Sequence, residues 1–256
     1  MQALQKHIEK KQAHNDILLM SHVVMGYPSF SLNKVTAKEY SNAGVELVEL
    51  QFPFSEPIAD GPTLMKANQE SLRSGTSIDD CFRVAEEITT ENPDTGFVIM
   101  TYYNIIYQMG ERKFIQRASE AGIIGLIIPD LPPENATTLK PICDESDISL
   151  INLVTPKTPD KRLDTICEGA KGMVYCVARS GVSGYPTLFA PEFEVYINKI
   201  KKRSPVPIGV GFGVQSKDDV EYLKGKVSVA IVCSKAVSIA IEDSPKASAN
   251  YLSSLR

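Results

Sequence analysis

Short apolar runs rich in aliphatic and β-branched residues recur along the chain, at residues 17–25, 45–50, 97–103, 123–128, 148–154, 173–177, 206–210 and 227–232. Each is of strand length. Between them lie stretches with apolar residues at helical spacing, such as Asp80-Cys-Phe-Arg-Val-Ala-Glu-Glu-Ile88 and Phe193-Glu-Val-Tyr-Ile-Asn-Lys-Ile200. Strand–helix alternation of this kind predicts parallel strands joined by right-handed crossovers. Open doubly wound sheets share it, but eight strands over 256 residues match the count of a closed (β/α)8 TIM barrel. The expectation is an α/β fold with one barrel domain over residues 1–256.

The spacing between runs is uneven. About fifty residues separate the second from the third, more than one crossover helix needs, and the surplus holds Pro53-Phe-Ser-Glu-Pro-Ile-Ala-Asp-Gly-Pro62. A smaller surplus after the sixth run holds Arg179-Ser-Gly-Val-Ser-Gly-Tyr-Pro186. Loops that follow barrel strands carry the chemistry, so the extended loops after strands 2 and 6 are the first candidates.

Composition narrows the class of partner. A net charge of -4 with mixed signs gives no basic face for nucleic acid. The five cysteines, Cys81, Cys143, Cys167, Cys176 and Cys233, are odd in number and nowhere closely paired, which points away from a disulfide framework and from a zinc motif; they read as buried thiols in a reducing cytosol. The N-terminal stretch lacks the apolar core of a signal peptide, and no apolar run approaches the ~20 residues of a membrane span. A cytoplasmic protein whose partner is a small molecule or another protein, with no metal, is expected.

After the seventh run the chain reads Gly209-Val-Gly-Phe-Gly213, then Ser216-Lys-Asp-Asp219 with the spacing of a capping box; after the eighth, Val232-Cys-Ser-Lys-Ala236 opens what reads as the last helix. Barrels that bind phosphate present backbone N–H groups from these two loops and an adjacent helix N-terminus. Gly184, Gly213 and Ser234 are the candidates. Any one glycine could simply make a turn; it is the coincidence after strands 7 and 8 that points to an anion. The cluster Lys199, Lys201, Lys202 and Arg203 fits a solvated helix C-terminus better than a site.

Strand alternation puts Glu49, at the C-terminal end of the second run, on the face shared with Val45 and Leu47 and pointing into the barrel mouth. A carboxylate there is placed for proton transfer. Glu46 has the opposite parity and reads as a surface charge. Asp60 stands in a loop fenced by Pro53, Pro57, Gly61 and Pro62; it could cap its own turn, but beside Glu49 and a phosphate-binding mouth it fits acid–base work better.

The stretch from Glu49 to Thr63 closely resembles the motif of the tryptophan synthase alpha subunit family. Gly26-Tyr-Pro28, Tyr102-Tyr-Asn104, Pro129-Asp-Leu-Pro132, Tyr175, Arg179-Ser-Gly-Val-Ser-Gly184 and Gly211-Phe-Gly213 extend the likeness over nearly the whole chain. The resemblance implies retro-aldol cleavage of indole-3-glycerol phosphate to indole and glyceraldehyde 3-phosphate. Glu49 would protonate indole C3 and handle the side-chain hydroxyl proton, Asp60 would pair with the indole N–H, and Tyr175 would position the reacting side chain. Tyr102, Phe212 and Met100 would wall the indole pocket, and Ser183 would support closure of loop 179–192 over Asp60. No cofactor is implied in this chain, since pyridoxal phosphate belongs to the partner beta subunit of an alpha-beta-beta-alpha tetramer. Against the family pattern, His22 replaces a phenylalanine, Gln51 a glycine, Ser183 a threonine, Glu56 an aspartate facing the partner, and Cys233 a glycine in the phosphate cradle. The alternatives are a weakly catalytic chain that mainly binds and activates the beta subunit, and another phosphate-binding barrel. Glu49 and Asp60 speak against the first, and the Pro-Phe-Ser loop against the second.

Overall fold

The computed structural model describes residues 1–178 and 191–256. In chain order the elements begin with α1 (Ala3–Gln12), β1 (Leu18–Val24), α2 (Phe30–Asn42), β2 (Leu47–Gln51), α3 (Pro62–Arg73), α4 (Ile78–Glu91) and β3 (Gly96–Met100). They continue through α5 (Tyr103–Met109), α6 (Glu111–Glu120), β4 (Gly125–Ile127), α7 (Leu139–Glu145), β5 (Ser149–Val154), α8 (Asp160–Glu168) and β6 (Val174–Val177). The last are α9 (Pro191–Lys201), β7 (Ile208–Gly211), α10 (Lys217–Leu223), β8 (Val229–Ile231), α11 (Ser234–Glu242) and α12 (Pro245–Ser253). All strand pairs are parallel, and β8 pairs back to β1, so the sheet is a closed barrel. This is the expected (β/α)8 architecture. The surplus between β2 and β3 contains two helices, α3 and α4, as well as the loop. One expectation fails at the C-terminus: α11 is followed by α12, which packs against it and against α2.

Period-two alternation divides the apolar residues into two cores. Leu18 and Met20 of β1, Leu47 of β2, Val98 and Met100 of β3, Ile151 of β5, Tyr175 of β6 and Val229 and Ile231 of β8 fill the barrel interior. Val48, Leu50, Phe97, Ile99 and Val210 face outward and join the helices in a larger annular core. Leu4 and Ile8 of α1 belong to the inner cluster, so this helix plugs the N-terminal end. Val45 lies in the outer cluster with Val48, not on the inner face with Leu47, because it precedes the strand.

Glu46 is corrected most sharply. It is only 3 % exposed. Its carboxylate accepts the Leu19 N–H at 2.8 Å and pairs with Arg256, while His7 Nε2 meets its carbonyl at 2.9 Å. It is a buried strut of the barrel floor rather than a surface charge. The basic cluster on α9 does face outward: Lys199 reaches Asp160 and Arg203 reaches Asp164. Among the described residues no helix is long and apolar enough to cross a membrane.

Candidate active site

At the C-terminal end of the barrel the inward positions become polar. Parallel register sets His22 of β1 beside Glu49 of β2, with Gln51 next along the same inner row. The Nδ1 of His22 lies 3.3 Å from Glu49 Oε1, and its Nε2 meets Gln51 Oε1 at 2.9 Å. Gln51 in turn donates from Nε2 to Asp60 Oδ2 at 2.6 Å. Because the Gln51 amide nitrogen is committed to a carboxylate, its oxygen faces His22, and the hydrogen on that side of the ring must sit on Nε2. A continuous row, Glu49–His22–Gln51–Asp60, therefore links the two carboxylates. All four side chains are buried.

Burial pushes the Asp60 carboxyl up to about 6, against the hydrogen bond from Gln51 and the charge of His22, which pull it down. For His22, burial disfavours the imidazolium, but the Glu49 charge and hydrogen bonding with Cys233 and Glu49 outweigh it and hold the pKa well above the ordinary histidine range. Burial raises the Tyr175 hydroxyl, assisted by the negative groups around it, so it stays a proton donor. The row is tied together, yet His22 Nδ1 and Glu49 Oε2 are buried without an aligned hydrogen bond. Orphan polar atoms of this kind point to something that arrives with the ligand.

A cavity of about 360 Å³ opens over the row, walled by Met100, Tyr175, Phe212 and Cys233 as well as His22, Glu49 and Asp60. A second recess of about 300 Å³ shares Tyr175, Phe212 and Cys233 with it and runs on to Gly213, Ser234 and Lys235. Ser234 begins α11, whose first N–H groups have no intrahelical acceptor. The backbone is bent to make this corner: Phe212 has φ 69° and Gly213 φ 120°. The first is an uncommon conformation for an aromatic residue, and the second favours glycine. A Cβ on Gly211 would come within 2.3 Å of the Tyr175 hydroxyl, so this ring rests on bare backbone.

Thus Glu49, Asp60, Tyr175, Phe212 and Met100 converge on one cavity, and Gly213 and Ser234 on its neighbour. Tyr102 does not line the cavity. It is 1 % exposed, stacks on Phe54 and accepts the Ala59 N–H at 3.1 Å, so it braces the loop that carries Asp60. Ser183 and Gly184, with the rest of 179–190, lie outside the described residues. Glu56 is exposed on the loop before Asp60. Sequence reasoning missed the aliphatic walls Leu64, Ile127 and Leu153. Alternation along β4 and β5 could have found the last two. Of the five cysteines read as buried thiols, Cys233 is the half-buried one, beside Gly213 and Ser234 where the resemblance had set it; all five thiols are free. Among the described residues one group could hold a metal ion: His22, Glu49 and Cys233, whose ligand atoms lie within 4.8 Å of one another.

The profile of the family "Tryptophan synthase alpha chain" matches residues 8–255. The tryptophan synthase alpha chain of Desulfotalea psychrophila is 41 % identical over 253 residues, covering 99 % of both chains. The chain belongs to the tryptophan synthase alpha chain family. That of Syntrophotalea carbinolica is 39 % identical over 253 residues, covering 99 % of this chain and 100 % of its own. A chain in the structure of Mycobacterium tuberculosis tryptophan synthase superposes with a TM-score of 0.91 at 29 % identity, over 99 % of this chain and 97 % of that one. Tryptophan synthase alpha chains are carbon–carbon lyases of tryptophan biosynthesis that cleave indole-3-glycerol phosphate. His22 and Cys233 both lie beside Glu49, and Gln51 joins His22 to Asp60.

Proposed function

We propose that this chain carries out the indole-3-glycerol phosphate cleavage with Glu49 and Asp60 as its proton-handling pair and Tyr175 as a positioning group. The observation that carries the assignment is the two-lobed cavity: one lobe holds both carboxylates, the other meets the start of α11, and Tyr175, Phe212 and Cys233 border both. A substrate with an indole at one end and a phosphate at the other needs that arrangement. Protonation of indole C3 by Glu49 leaves positive charge on the ring nitrogen, which the Asp60 carboxylate stabilises. Loss of the proton from the neighbouring side-chain hydroxyl to Glu49 then forms the carbonyl. The carbon–carbon bond breaks, its electrons return to the ring, and the proton count is unchanged. The phosphate is held by backbone N–H groups at Gly213 and Ser234, with Gly184 contributing from the loop after β6 and Ser183 supporting closure of that loop over Asp60.

These steps need only side-chain acids, so the chain works without a cofactor of its own. Its partner is the beta subunit, which holds pyridoxal phosphate, in an alpha-beta-beta-alpha assembly in the cytoplasm. The test is indole release from indole-3-glycerol phosphate by purified protein, with and without its beta subunit. Indole should form in both, faster with the partner. A chain that accelerates the beta reaction yet releases no indole in either condition would be an activator and not a lyase.

A further inference from the structure

We propose that His22, Glu49 and Cys233 form a binding site for a borderline-soft divalent cation, Zn²⁺ in the first instance. Imidazole nitrogen, carboxylate oxygen and thiolate sulfur are the ligand types zinc takes, and three protein ligands with one open position is the arrangement of a reactive zinc site. The spacing fits. Two ligands each about 2.0–2.1 Å from a tetrahedral ion stand about 3.3 Å apart, and His22 Nδ1 is 3.3 Å from Glu49 Oε1. Cys233 brings its sulfur within 4.8 Å of both. Two of the three ligand groups have buried atoms, His22 Nδ1 and Glu49 Oε2, without an aligned hydrogen bond.

The surroundings are those of a metal-ligating histidine. Such a residue donates its second ring N–H to an acceptor that fixes tautomer and ring orientation. Here His22 Nε2 donates to Gln51 Oε1, and Gln51 is itself held by Asp60, so Nδ1 is turned toward Glu49 and Cys233. On binding, the ion replaces any proton on Nδ1 and the thiol proton of Cys233, and these pass to solvent. One carboxylate and one thiolate then balance the double positive charge, as a buried ion requires. The fourth position faces the main cavity, which Glu49 and Cys233 both line. A cation held there ties up Glu49, so metal and lyase chemistry exclude one another, a consequence that rests on the role proposed for Glu49.

Titration of the reduced full-length chain with Co²⁺ tests the site directly, because a tetrahedral cobalt–thiolate centre has a sulfur-to-metal charge-transfer band. We expect one equivalent bound, the band lost in Cys233→Ser, and affinity at least tenfold weaker in His22→Phe. Gln51→Gly, which touches no metal, should weaken binding about 10–100-fold through loss of the outer partner. Zn²⁺ should displace Co²⁺ and inhibit cleavage reversibly, with activity returned by a chelator. Circular dichroism identifies any variant that has merely unfolded; Cys233→Ser, the smallest change, then carries the test. Absence of the band, or its persistence in Cys233→Ser, overturns the site. Binding that leaves cleavage untouched overturns it too, since Glu49 would not be a ligand. A chain that binds Co²⁺ as described yet releases no indole sinks the lyase reading and leaves the metal site standing.

Discussion

Two buried glutamates on the same stretch of backbone, three residues apart, meet opposite fates. Glu46 at the barrel floor is satisfied: it accepts the Leu19 N–H and pairs with Arg256. Glu49 at the mouth keeps one buried oxygen without a partner and faces His22 across 3.3 Å. A carboxylate taken out of water is stable only when hydrogen bonds and opposite charge replace the lost hydration. The floor supplies them permanently. The mouth leaves the vacancy for whatever binds, so the same residue type holds the fold together at one end and is available for chemistry at the other.

The contrast is sharpest for Asp60, the other mouth carboxylate. Asp60→Asn should lower cleavage about 10²–10⁴-fold by removing the charge that stabilises the indole nitrogen. It should also stabilise the fold. With its pKa raised from 3.8 to about 6 in the folded state, Asp60 favours folding fully below pH ~4 and loses that contribution as pH rises through about 6, a change of roughly 3 kcal/mol. The melting temperature of the variant should therefore exceed that of the parent by a margin that grows between pH 4 and 7. A margin that shrinks over this range would contradict the shift.

At the floor the sign reverses. Arg256→Met strands Glu46 and should cost about 1–3 kcal/mol, below the 3–5 typical of a broken buried pair because Arg256 is partly exposed, while turnover is kept. Denaturant unfolding and steady-state assay on one preparation would check both. The pH profile gives a smaller effect over the working range: kcat/KM should fall as pH drops below about 6, nearing tenfold per unit, as Asp60 takes up its proton. The smallest concerns Lys235, exposed at the rim of the second recess. Lys235→Ala should raise KM a few-fold with little change in kcat, and less so at high salt. An unchanged KM would leave phosphate binding to the backbone.

Local pattern was enough for the eight strands, for Glu49 and for the glycine corner at Gly213, since alternation and backbone freedom are properties of neighbouring residues. It failed for Glu46, whose partner Arg256 is 210 positions away. Parity gave the correct face for Glu46; burial at the closed floor came from α1 and the C-terminus folding over it. Gln51 could be noticed as unusual, but its bridge from His22 to Asp60 depends on the register of β1 against β2. Cys233 has the inward parity of Val229 and Ile231, and the resemblance set it in the phosphate cradle; that it also faces His22 and Glu49 depends on how β8 closes against β1. Tyr102 was legible as a site residue only in type: its hydroxyl serves the Asp60 loop and not the cavity.

The difference between floor and mouth is tested most directly by Glu46→Gln and Glu49→Gln in parallel, measuring single-turnover cleavage of indole-3-glycerol phosphate and the unfolding midpoint of each. Glu49→Gln should lose about 10²–10⁴-fold in rate with its midpoint kept. Glu46→Gln should keep the rate and lose about 1–2 kcal/mol of stability, because Arg256 loses its counter-charge. Near-normal cleavage by Glu49→Gln, or a comparable collapse of rate in Glu46→Gln with the fold intact, would contradict the division of labour between the two ends of the barrel.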